Sequence, residues 1–126
     1  MTRWKLEDTR CHLLLCNGDS CMRRRGEEVT LAIRDEIARQ GAGQWLHTTR
    51  TRCNGRCSDG CVVIAYPEGV WYRDVTPETG RQLVRELAAG RLLEKQVLHR
   101  YGPSCSGEAA AEAATAREGL RRTNPR

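Results

Sequence analysis

The chain reads as an α/β protein, a mixed sheet covered by two main helices and carrying a β-hairpin. Three observations predict this. Two segments place a β-rich run beside residues of helical period. Two further β-rich runs flank a Pro-Glu-Gly turn. The length, 126 residues with 39% hydrophobic side chains, is enough for one core and therefore one domain.

Residues 12 to 16, HLLLC, form an apolar run expected as a buried strand ending at Cys16, and Asn17-Gly18-Asp19 reads as a turn. From Cys21 to Gln40 a helix is expected. Met22, Val29, Ile33 and Ile37 fall near one of its faces, Asp19 or Ser20 is available to cap its start, and Gly41 fits its end. QWLHTTRTR, residues 44 to 52, alternates as a strand that leads directly into Cys53, and CNGRCSDGC is a turn-rich loop. VVIAYPEGVWYRDV, residues 62 to 75, predicts the hairpin, with Gly69 supplying a positive φ. Thr76-Pro77 then offers an N-cap and a first-turn proline. Leu83, Val84, Leu87 and Ala88 mark one face of a second helix, which Gly90 ends.

Residues 92 to 98 fit either a short extended segment or a helical turn. After Pro103 the chain turns rich in Ala, Glu and Arg with little large to bury, so residues 1–102 are read as the domain and 103–126 as a mobile tail. The order of strand, helix, strand, loop, hairpin and helix suits the thioredoxin-like folds.

Several function classes lose support here. The formal net charge is +5, but the arginines are scattered among glutamates rather than gathered in a basic block, so no nucleic-acid partner is expected. No apolar run reaches the length of a membrane span, and the first ten residues, MTRWKLEDTR, lack a secretory signal's apolar core. The expectation is a cytoplasmic protein. In that reducing compartment seven cysteines, an odd number, point to metal binding or redox chemistry rather than to disulfides.

Cys16 ends a strand, Cys21 begins a helix where exposed N–H groups favour a thiolate, and Cys53 and Cys57 follow another strand. If the two strands are neighbours, four sulfurs converge at one sheet edge. Four thiolates suit zinc or an iron–sulfur cluster. A zinc ribbon or a thioredoxin-type dithiol uses C-x2-C, which this chain lacks. Its C-x4-C and C-x3-C intervals form looser loops able to straddle a two-iron core. Cys11, five residues before Cys16 on an extended strand, would lie roughly 16 Å from it and is expected to be structural. Cys61 repeats the C-x3-C interval and could stand in for a loop ligand, while Cys105 is expected as a free thiol in the tail. His12, His47 and His99 are isolated and lack the pairing of a Rieske centre.

LLLCNGDSC, CNGRC and VVIAYPEGVWYRDVTPE together resemble the thioredoxin-like [2Fe-2S] ferredoxins, a family similar to the small iron–sulfur subunit of NADH dehydrogenase. The resemblance spans about residues 11 to 100. It implies a one-electron carrier holding a [2Fe-2S] cluster on Cys16, Cys21, Cys53 and Cys57, with a non-ligand at Cys61. The family's stand-alone members further imply a homodimer, and Trp45, Trp71 and Tyr72 are its candidate interface aromatics. A redox partner protein is also implied, and Arg23, Arg24, Arg52 and Arg56, beside the ligands, are candidates to raise the potential and to meet an acidic docking surface. A structural zinc or metal-sensing module on the same cysteines is the alternative.

Overall fold

The computed structural model describes residues 5–102. The expected tail and Cys105 lie outside the described residues. Five strands form one mixed sheet in the order β2-β1-β3-β4-β5: β1 is Cys11–Cys16, β2 Leu46–Thr51, β3 Val63–Tyr66, β4 Val70–Tyr72 and β5 Val97–Arg100. The β1–β2 pair is parallel, and every other neighbouring pair is antiparallel. The helices are α1 (Asp19–Arg23), α2 (Gly26–Arg39) and α3 (Pro77–Ala88).

Alternation along the strands sorts the core. Leu13 and Leu15 of β1, Val63 and Ala65 of β3, and Val70 and Tyr72 of β4 are all at most 1% exposed. They share one face of the sheet, because register places Leu13 opposite Ala65, Leu15 opposite Val63 and Val63 opposite Tyr72. Helix α2 covers that face with Val29, Ile33 and Ile37, and Arg34 Nε donates to Thr48 Oγ1 of β2 at 3.0 Å. Helix α3 lies tightly against α2, since a Cβ on Gly80 would come 2.9 Å from Ile33. Buried Glu36 accepts from Gln40 of its own helix end at 2.8 Å and, across the same seam, from Arg85 Nε at 3.2 Å, contacts that hold its carboxyl below the usual range.

Three expectations change. The helix expected from Cys21 to Gln40 is two helices, because Arg25 adopts a left-handed φ of 69° and turns the chain. Gly26 makes this corner possible: a Cβ there would stand 2.8 Å from the Cys21 carbonyl oxygen. Met22 thereby leaves the apolar stripe and is 42% exposed. Tyr72, a candidate interface aromatic, is instead fully buried in the core, while Trp45 and Trp71 are half-buried. Residues 92 to 98 resolve into both alternatives, a short helical turn at Glu94–Gln96 followed by β5.

The hairpin and the cap match the sequence reading. Gly69 has φ +70° between β3 and β4. Thr76 and Thr79 form a reciprocal capping box, with Thr79 N donating to Thr76 Oγ1 at 3.1 Å and Thr76 N to Thr79 Oγ1 at 2.7 Å.

Candidate metal centre

Because β1 and β2 are parallel and Cys16 sits in register with Thr51, the segments leaving both strands emerge at the same sheet edge. Asn17 ties them together. Its backbone N donates to Thr51 O at 2.8 Å, its Nδ2 reaches Leu15 O and Thr30 Oγ1, and its Oδ1 accepts from Arg50 Nη1 at 3.0 Å. The two cysteine loops then cross at van der Waals limits, for a Cβ on Gly18 would fall 2.8 Å from the Cys53 Cα. No larger residue at 18 would let the loops approach this closely.

All four sequence-predicted ligands meet at this edge. Together with Gly18, Ser20, Asn54, Arg56 and Val62, Cys16, Cys21, Cys53 and Cys57 line one small cleft. Cys53 Sγ and Cys57 Sγ are 3.4 Å apart, and Cys16 and Cys21 line the same cleft beside them. Two sulfurs on each of two irons is the arrangement that such pairs fit. Among the described residues no three His, Cys, Asp or Glu side chains converge as on a single ion.

Backbone donors surround the sulfurs. Gly55 N donates to Cys53 Sγ at 3.3 Å, and the nearby Gly18 and Asn54 amides work to lower the Cys16 thiol and the Val62 amide to lower that of Cys21. Both the Asn17-Gly18 and the Asn54-Gly55 turns thus set N–H groups beside the thiols. Such donors stabilise negative charge on sulfur and so suit a highly anionic thiolate cluster.

Burial divides the four. Cys16 and Cys21 are 5% and 3% exposed, whereas Cys53 and Cys57 are open to solvent. Burial pushes the Cys16 thiol up, outweighing the two amides. Cys21 is also pushed up, first by its hydrogen bond with Cys61 and then by burial, so the thiolate expected from a helix start is not favoured there.

The remaining cysteines separate cleanly. Cys11 opens β1, at the opposite end of the strand from Cys16. It is buried, and its thiol is pushed up to about 12 by burial and by the Glu68 charge. Cys61 is 3% exposed and lies against the first pair, its Sγ 3.3 Å from Cys21 O and 3.2 Å from Arg24 O. All six described cysteines are free thiols. The histidines belong to the sheet: His12 and His47 are register partners on β1 and β2, and His99 sits opposite Trp71.

Of the four arginines singled out, two have other work. Arg56 pairs with Asp59 at 2.7 Å, and Arg24 Nη1 donates to Ser58 O and Gly60 O, each at 3.2 Å. Arg23 and Arg52 remain as exposed cations at the rim. The sequence reading missed Asn17, Gly60 and the bracing role of Arg24. Only the Asn-Gly turn carried a local signal for any of them.

No family model matches the chain. It is similar to a protein of Priestia megaterium provisionally named a 2Fe-2S ferredoxin, at 47% identity over 80% of each chain. A 2Fe-2S ferredoxin of Aquifex aeolicus is 34% identical over 73% of this chain and 92% of its own. The structure of a thioredoxin-like [2Fe-2S] ferredoxin from that organism superposes with a TM-score of 0.70 at 30% identity, covering 78% of this chain and 98% of that one.

Proposed function

The chain belongs to the thioredoxin-like [2Fe-2S] ferredoxins, and from that premise we propose that it carries single electrons on a [2Fe-2S] cluster held by Cys16, Cys21, Cys53 and Cys57. One observation supports this ligand set above the rest: the two cysteine pairs meet at a single sheet edge inside a ring of backbone donors. The cluster, when bound, supplies reversible uptake of one electron.

The chain's own residues do three things around it. Gly18, Asn54, Gly55 and Val62 present N–H groups that offset the charge added on reduction. Cys16 and Cys21 hold the inner side within the core and keep water out. Cys53 and Cys57 stand at the surface, where a partner protein can approach closely.

Exposed Arg23 and Arg52 favour an acidic docking face on that partner, so association should weaken with salt. Electron transfer, not substrate turnover, is the activity in this reading, and a reducing cytoplasm is its setting. Among the described residues no helix is long and apolar enough to cross a membrane. A homodimer fits the sheet face opposite α2, where His12, Leu14, Tyr66 and Trp71 are half-buried rather than fully buried.

The test is the visible spectrum of anaerobically purified protein with iron and acid-labile sulfide assays, followed by EPR after dithionite. Brown protein with two irons and two sulfides per chain and a reduced-state EPR signal is expected. Colourless protein loaded with zinc after expression in ample iron would overturn the assignment.

A further inference from the structure

Cys61 is a buried thiol beside the proposed ligands that the ligand set leaves unused. It follows the helical turn Cys57–Asp59 and lies two residues before the apolar strand β3, at 3% exposure. Its Sγ lies 3.3 Å from Cys21 O and 3.2 Å from Arg24 O. Carbonyls only accept, so the thiol is the donor to both, as a shared hydrogen bond.

These two carbonyls sit at the corner between α1 and α2, where regular helix bonding is interrupted by left-handed Arg25. From the other direction the Arg24 guanidinium donates to Ser58 O and Gly60 O. The corner and the second cysteine loop therefore clasp each other reciprocally, a side chain from each side bonding backbone of the other. Cys21 is confined between them: a Cβ on Gly60 would come 2.8 Å from its sulfur, and a Cβ on Gly26 would come 2.8 Å from its carbonyl oxygen. On its loop side Cys61 is itself fixed, for Val75 N donates to Cys61 O at 3.0 Å.

We propose that Cys61 is a positioning residue whose thiol, clasped to the Cys21 and Arg24 carbonyls, holds Cys21 in place for the cluster without ligating iron. The inference rests on the ligand assignment above. A sulfhydryl suits the place because it packs as a small apolar group yet donates weakly, and it loses little on leaving water.

Cys61→Ser and Cys61→Ala, reconstituted beside the parent protein, test it. Both should bind two irons and two sulfides with the parent's visible and EPR spectra. Cys61→Ala should lose iron to a chelator roughly three- to tenfold faster, the loss of about one hydrogen bond, and exchange amide hydrogens faster at residues 21 to 25. Cys61→Ser, which keeps a donor, should restore both rates. Parent-like rates in Cys61→Ala would overturn the positioning role, as would failure of serine to rescue, and either result would leave the ligand assignment standing. A shifted spectrum in Cys61→Ser, with iron missing from Cys61→Ala, would instead make Cys61 a ligand and overturn both.

Discussion

Cys16 and Cys21 close a strand and a helix turn within the core, next to fully buried Leu15 and Val62, while Cys53 and Cys57 stand on an exposed loop. The contacts that shape them differ in kind. The inner pair depends on residues distant in sequence: Asn17 bridging to Thr30 and Arg50, Gly18 against Cys53, and Cys61 against the Cys21 carbonyl. The outer pair rests largely on its own turn, through Gly55 N on Cys53, Asn54 on Thr51 and the Arg56–Asp59 pair. In the ligand set proposed above, the buried inner half would fix where the cluster sits, and the exposed outer half would present it to a partner. Both properties come from where each pair lies relative to the hydrophobic core.

The comparison breaks most visibly at the sulfurs. Cys21→Ser is expected to leave less than about a tenth of the parent's iron, because the buried inner wall cannot shift to bring a shorter oxygen ligand into range. Cys53→Ser, on the yielding loop, should keep about half or more, with an altered visible spectrum. Iron and sulfide per chain decide this, and equal losses at both positions would erase the distinction.

Smaller effects follow at the glycines. Gly18→Ala drives a methyl into the Cys53 backbone and should cost roughly 1–3 kcal/mol in urea unfolding. Gly55→Ala, strained by a φ of 81° but set in the outer loop, should cost only about 1 kcal/mol.

Cys11, at the far end of β1, sharpens the contrast through pH. Its folded-state thiol is pushed up to about 12 from an ordinary 9.0, so the folded chain keeps a proton that the unfolded chain has released. The contribution is fully present below pH 9 and is lost as pH rises towards 12, by roughly 1 kcal/mol between pH 9 and 10. Cys11→Val should flatten that decline in urea titrations while leaving the iron content unchanged. An unchanged slope would place the titration elsewhere.

The smallest expected effect lies on the rim. Arg52→Gln should slow oxidation of the reduced protein by an anionic iron complex about two- to threefold at low salt, with the difference vanishing at high salt. A salt-independent difference would assign Arg52 another role.

What could be read in the sequence divides along the same line. Strands β1 to β4, the hairpin around Pro67-Glu68-Gly69 and the Thr76 cap are set by neighbours in the chain and are legible from it, whereas β5 fell in a stretch that also fitted a helical turn. The meeting of Cys16 with the Cys53 loop was conditional on β1 and β2 lying side by side, and the parallel register meets the condition. The break at Arg25 escaped the periodicity because a positive φ in a non-glycine residue is imposed from outside the segment, although Gly26 inside the expected helix was a hint. Tyr72 and Trp71 differ in burial because adjacent strand residues face opposite ways, and pattern alone left the face unassigned. The placement of Cys61 depended on the path of a loop, which spacing does not specify.

Strand direction bears on how such a molecule would be wired to a surface. Because β5 runs antiparallel to β4, it travels away from the cysteine edge, and Tyr101 N closes onto Gly69 O at the hairpin turn, at 3.0 Å. The six residues of β1 separate that turn from the cysteines by roughly 20 Å. An affinity handle or electrode tether joined directly after Gly102 would leave from the pole opposite the four cysteines and turn the proposed cluster edge outward. The same tether inserted between Cys53 and Cys57 would cover the exposed cysteines, the face proposed for a partner.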